Sequence, residues 1–187
     1  VSWLSPDQHW LLDEHRIKGD AVLPGTGYLE LARAAFEEHT RRRVGDGGAI
    51  EYTNVVLLKP LSVSGSDDRE VRTVLKKRGN RTEFSVVSRA GTAAKNWVDH
   101  ASGTLTWIDQ AEAPTHDVGD LVAKCNKVDQ AVEGDQLVPE GDFLTFGPRW
   151  CSTWRSIESV KFGEGRQLVR MKIGDEYKDD LEHFRLH

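Results

Sequence analysis

A histidine stands at position 15, a glycine at 19 and a proline–glycine pair at 24 and 25. An apolar, alanine-rich run follows at once, Gly27-Tyr28-Leu29-Glu30-Leu31-Ala32-Arg33-Ala34-Ala35-Phe36. Imidazoles ordinarily titrate near pH 6.5 and are mostly neutral at pH 7, so a histidine in this setting can accept a proton. Backbone N–H groups at a helix N-terminus are oriented in advance to stabilise negative charge. His15 to Gly25 therefore places a proton acceptor beside a site for negative charge. The other histidines, His9, His39, His100, His116, His183 and His187, lack this setting and read as ordinary.

The elements that must position this stretch follow from spacing. Tyr28, Leu31, Ala32, Ala35 and Phe36 fall on one side of a helix, and Leu29 and Ala34 widen the apolar arc, which predicts an enclosed helix. Thr26 is the expected N-cap, Glu30 suits the first turn, and the helix is expected to end between His39 and Arg43. Ahead of it, Gln8-His9-Trp10-Leu11-Leu12 reads as a short strand or loop packed on the core. Behind it, apolar and β-branched runs at 49–58, 61–63, 70–77, 81–89 and 97–108 are separated by turn residues, the pattern of an antiparallel meander. A long helix followed by such strands predicts an α+β unit in which a sheet curls around the helix.

Residues 109–137 read as a linker, with a short helix at 118–125 and a connecting segment from 128. Phe143 to Trp150 opens a second unit over 138–187, with strands at 156–162 and 167–173 but no second apolar helix. That unit is expected to need further chain, or other segments, to cover its sheet.

A 38% hydrophobic and 29% charged composition is that of an ordinary globular protein. The net charge of −5 argues against nucleic-acid binding. The basic cluster Arg41-Arg42-Arg43 reads as a solvated helix end, with an acidic partner as the sharper alternative. Two cysteines, Cys125 and Cys151, have neither metal spacing nor a disulfide framework, and no run approaches membrane-spanning length. The expectation is a cytoplasmic protein without a metal or a membrane partner.

His15, Gly19 and Pro24 fill a pattern, His-x3-Gly-x4-Pro, that resembles the catalytic motif of the dehydratase domains of modular polyketide synthases and related fatty-acid synthases. Three further stretches resemble the family in its own order. Leu23 to Ala32 is similar to the start of the family's central helix, Val55 to Leu61 to its next strand, and Phe146-Gly147-Pro148 to its Tyr-Gly-Pro motif. The resemblance implies a double hotdog, two modules that each wrap a curved antiparallel sheet around a helix. It implies elimination of water from a β-hydroxyacyl thioester carried on the phosphopantetheine arm of an acyl carrier protein, with no cofactor bound directly. His15 would be the base, and the Gly25 amide would meet the thioester oxygen. Pro24 would fix the turn that presents Gly25, and Gly19 would let the loop fold back. Phe146, Gly147 and Pro148 would line the pocket, phenylalanine bringing packing but no phenolic hydrogen bond.

The family's acid is an aspartate in a second motif. Leu186-His187 resembles the first residues of that motif, the aspartate is not among the 187 residues, and Asp175, Asp179 and Asp180 do not match it. Neighbouring synthase domains and a homodimer are the further partners the resemblance implies. Two alternatives stay open at this level: a non-catalytic double hotdog retained for docking or dimerisation, and an enoyl isomerase, which needs only His15, or a ring-forming cyclase on the same scaffold. A single-hotdog thioesterase is disfavoured by the second unit.

Overall fold

The computed structural model describes residues 1–45, 47–63, 68–92, 94–109, 115–125, 128–130, 157–175 and 178–179. These divide into two units, within Val1–Glu112 and within Ala113–His183.

In the first unit a strand, β1 (Ser2–Leu4), leads to a short helix, α1 (Trp10–Glu14), and a hairpin of β2 (Arg16–Ile17) and β3 (Asp20–Val22). Helix α2 (Gly25–Thr40) comes next, then β4 (Gly48–Leu57), β5 (Ser62–Val63), β6 (Arg69–Arg78), β7 (Arg81–Ala90) and β8 (Val98–Asp109). One sheet has the order β1-β6-β7-β8-β4 and a smaller one the order β2-β3-β5, with antiparallel pairing throughout. Trp10 to Leu12 is helical rather than extended. A single turn closed by Leu12 N–H on His9 O suffices to place Leu12 fully inside the core.

Tyr28, Ala32 and Phe36 recur every four residues and form the buried stripe of α2, with Gly27 beside them. A Cβ at Gly27 would lie 2.8 Å from the Leu23 side chain, so glycine lets Leu23 pack against the helix start. The stripe meets Val71, Phe84, Val86, Ala101 and Leu105 from the sheet in one core. Alternation in β7 sends Thr82, Phe84, Val86 and Ser88 inward, as a half-buried strand requires. Gly103 is needed opposite Phe84, because a Cβ there would come within 2.6 Å of the ring.

Two expectations for α2 are corrected. The helix begins one residue before Thr26, and Pro24 takes the N-cap position with φ −65° and ψ 157° and no side-chain cap bond. Proline's fixed φ and extended ψ end the helix there, and Gly27 N–H closes the first turn on Pro24 O at 2.9 Å. Ala34 is exposed, so the helix is less enclosed than its composition suggests. Its outer face carries Arg33 between Glu30 and Glu37, and Glu37 also accepts from Val44 N–H at 2.8 Å. That bond ties down the chain leaving the helix, whose end is marked by Arg41 in the left-handed region at φ 56°. Strand β4 carries a bulge between Thr53 and Val56, with Asn54 at φ 52°. Beyond it Val55 to Leu58 are exposed.

In the second unit, α3 (Val118–Ala123) is capped by Asp117, which accepts from Asp120 N–H. Strands β9 (Val128–Gln130), β10 (Ile157–Gly163) and β11 (Arg166–Met171) form a sheet of order β11-β10-β9. Both α3 and β9 fall within the stretch read as linker, and β9 is pulled into the sheet because β10 offers its free edge to residues 128–130.

Glu70 anchors the far side of the first sheet. Buried on β6, its carboxylate accepts from Arg72 Nη2 at 2.7 Å and Arg89 Nε at 2.6 Å. Both guanidiniums lie over the Trp97 ring, 4.4 and 4.9 Å from its centroid. Burial pushes this carboxyl's pKa up, but the hydrogen bonds and charges of the two arginines together outweigh it and hold the group below the ordinary carboxylate range. Its contribution to stability is complete above the unfolded pKa, near 4.3 for a glutamate, and is lost as pH falls through the lower folded value. The midpoint temperature of wild type should therefore fall more steeply below about pH 4.3 than that of Glu70→Gln; parallel curves would remove Glu70 from the acid response. Leu105→Ala should cost about 2–5 kcal/mol in urea unfolding, and a loss below about 1 kcal/mol would mean that the core is not closed around Leu105.

Candidate active site

The spacing between His15 and Gly19 is explained by the hairpin. Arg16 pairs with Ala21 and Ile17 with Asp20, leaving Lys18 and Gly19 as a two-residue turn. Both have positive φ, 52° and 91°, as a type I′ turn requires, and glycine meets this demand without steric cost. Arg16 braces the turn by donating to Gly19 O at 3.1 Å and Asp13 O at 2.9 Å. One step before β2, His15 faces Val22, the last residue of β3, and the two exchange bonds. Val22 N–H donates to His15 O at 2.9 Å, and His15 Nδ1 donates to Val22 O at 2.6 Å.

That second bond sets the chemistry of the ring. A carbonyl oxygen only accepts, so Nδ1 carries the proton and the neutral imidazole has its lone pair on Nε2. Pro24 and Gly25 follow within three residues of Val22. Gly25 is the first residue of α2, so its N–H lies outside the helix's own ladder, and the aligned peptides of the sixteen-residue helix add a positive end there. A Cβ at Gly25 would lie 3.5 Å from the nearest Leu57 atom, an ordinary contact, so any need for glycine here comes from what approaches the amide and not from packing.

His15, Pro24 and Gly25 line one open, mostly apolar pocket of roughly 300 Å³. Its other walls come from Ile17, Val22, Leu23 and Tyr28, and from the segment Leu57-Leu58-Lys59-Pro60 that leaves β4. Tyr28 is buried, and its hydroxyl accepts from Leu61 N–H at 2.8 Å. Burial pushes its phenol pKa up, opposed by that N–H, so the group stays neutral and fastens the segment following Pro60. Leu23 N–H donates to Leu61 O at 2.9 Å and completes the fastening.

Of the residues singled out by sequence, the structure brings His15, Pro24 and Gly25 to one pocket and places Gly19 in the turn behind them. Phe146, Gly147 and Pro148 lie outside the described residues, as does the His187 end of the chain. Sequence reading missed the wall at Leu57 to Pro60 and the fastening role of Tyr28. Tyr28 sits in the core stripe, and nothing in its spacing signals that its hydroxyl caps a backbone group thirty-three residues away.

Comparison with known proteins bears on the family and the fold. Residues 1–89 match the family described as polyketide synthase dehydratase domain. Polyketide synthase PksM of Bacillus subtilis (strain 168) is 24% identical over 179 residues, which is 95% of this chain and 4% of PksM. A dehydratase domain of a trans-AT polyketide synthase from Brevibacillus brevis superposes with a TM-score of 0.83 at 26% identity, over 100% of this chain and 63% of that one. The dehydratase from the CurK module of the curacin polyketide synthase, in the form of an inactive mutant with a histidine replaced by phenylalanine, gives 0.79 at 21% identity over 100% of this chain and 62% of that one. The last likeness speaks for the fold alone. The chain thus spans under two thirds of these dehydratase domains and a small fraction of the synthase it matches. Residues 1–89, from the first residue into β7, carry the pattern of the polyketide synthase dehydratase domains, and the fold of such a domain is shared along the whole chain.

Proposed function

We propose that this chain provides the base-bearing part of a hydro-lyase that converts a β-hydroxyacyl thioester on an acyl carrier protein into the α,β-enoyl thioester during polyketide assembly. The observation that carries the reading is the 2.6 Å bond from His15 Nδ1 to Val22 O, which leaves Nε2 as the proton-accepting atom of a pocket-lining imidazole. Nε2 takes the α-proton. The C–H electron pair becomes the new Cα=Cβ bond, and the β-hydroxyl leaves as water after receiving a proton from an acid. Charge that builds on the thioester oxygen is met by the Gly25 N–H and the positive end of α2.

The acid in this reading is the aspartate of the second motif that the resemblance implies, and no residue of 1–187 is assigned to it. The CurK dehydratase is inactive both with a histidine replaced by phenylalanine and with an aspartate replaced by asparagine, which supports a two-residue mechanism by analogy. The apolar walls suit an acyl chain. Proton transfers alone complete the step, so the reading calls for no cofactor beyond the phosphopantetheine that carries the substrate. The carrier protein, neighbouring synthase domains and a second copy of the chain are the partners proposed. Among the described residues no helix is long and apolar enough to cross a membrane, and a cytoplasmic location is proposed with the rest.

The test uses a polypeptide extending past His187 through the expected aspartate motif, incubated with a β-hydroxyacyl carrier-protein thioester and followed by intact mass. Loss of one water should slow by at least about 100-fold in His15→Ala, with the midpoint temperature of unfolding little changed. A wild-type protein that leaves the thioester intact, or a His15→Ala protein that dehydrates it at the wild-type rate, overturns the reading.

A further inference from the structure

One wall of the pocket that His15 lines is a short strap, Leu57 to Pro60, whose side chains are exposed apart from the pocket they line. Exposed apolar groups give such a segment little packing to hold it, so its position depends on hydrogen bonds. Leu57 pairs with Ala101 at the end of β4, and the bonds of Leu58 and Lys59 converge on one residue. His100, on β8 and 2% exposed, accepts from Leu58 N–H at 2.7 Å through its backbone carbonyl, and its Nδ1 donates to Lys59 O at 3.0 Å. Its Nε2 accepts from the hydroxyl of the fully buried Ser88 at 2.7 Å, and Arg69 reaches the Ser88 oxygen at 3.4 Å from the other side. The ring therefore has the same tautomer as His15, with the proton on Nδ1 and a carbonyl as its acceptor.

We infer that His100 is a positioning residue for the substrate: its side chain, locked by Ser88, fixes the Lys59 carbonyl and so sets the strap that forms an acyl-binding wall of the pocket His15 lines. This rests on the dehydratase reading for its substrate, and on geometry alone for its anchoring. A buried imidazole bonded at both nitrogens has no further valence for chemistry, and burial holds its pKa below the ordinary histidine value, so it remains the neutral donor the strap needs at neutral pH. The strap continues into β5, where Ser62 pairs with Val22, the residue that holds His15. A displaced strap would thus widen the pocket first and disturb the base second.

Two substitutions separate positioning from plain stability. Asparagine can present an amide nitrogen near the place of Nδ1 and keep the bond to Lys59 O. Glutamine can present one near Nε2, toward Ser88, and release Lys59. In the same extended polypeptide, His100→Gln should raise KM for the carrier-protein thioester by roughly tenfold with kcat within about threefold, and His100→Asn should return KM to within about threefold of wild type. Both variants lose one buried bond, so a merely structural role would move them together. Hydrogen exchange of the Leu58 and Lys59 amides reads the anchoring without turnover, and should quicken about tenfold in His100→Gln but not in His100→Asn. Equal KM values or equal exchange for the two variants overturns the inference. A wild-type protein that does not dehydrate the thioester overturns the proposed function instead, and the exchange comparison then decides the role of His100 by itself.

Discussion

The burial of one face of α2 against the five-stranded sheet is the constraint on which the rest of the first unit depends. Tyr28, Ala32 and Phe36 supply the helix side of the core, and Val71, Phe84, Val86 and Leu105 the sheet side. Because Tyr28 belongs to the first turn of the helix, the same packing fixes the helix N-terminus in space. The positive end of α2, the Gly25 amide and the start of the pocket are placed by the hydrophobic core and not by loops. The outer face of the helix is free to be charged, and Glu30, Arg33 and Glu37 use it so.

Around that fixed point the site is assembled from two carbonyl-bound histidines. His15 is held by Val22 from within its own hairpin, and His100 holds Lys59 from the sheet. The hairpin delivers an imidazole of defined tautomer, and the sheet delivers a wall. Their meeting place is β3 with β5, where Val22 and Ser62 are paired, so the two halves of the pocket share a strand ladder.

Much of this was legible from sequence, for physical reasons that differ residue by residue. The strands from β4 to β8 show because alternation and turn residues are local signals, and the stripe of α2 shows because four-residue spacing puts Tyr28, Ala32 and Phe36 on one face. His15, Gly19 and Pro24 stood out because a hairpin turn and a helix start impose residue types at short range. Thr26 misled because a favourable capping side chain was weighed against a proline whose backbone alone ends the helix. Leu11 and Leu12 misled because so short an apolar run fits a strand as well as a helical turn. His100 looked ordinary because its meaning lies in a contact across forty-one residues, which no local pattern encodes.

The sequence separations in the pocket have a consequence for the order in which the site is made. The bond orienting His15 closes a span of seven residues, whereas those fastening Lys59 and Leu61 close spans of forty-one and thirty-three. Closing a longer span costs more chain entropy, and contacts between distant residues form late in folding. His15 can thus be aimed while the chain is still gathering its sheet, and the wall from Leu57 to Pro60 arrives only with the docking of β8. Damage runs in the reverse order: a lesion in the core should loosen the wall from Leu57 to Pro60 while His15 still points where it did, so that the pocket changes shape before its imidazole is misaligned.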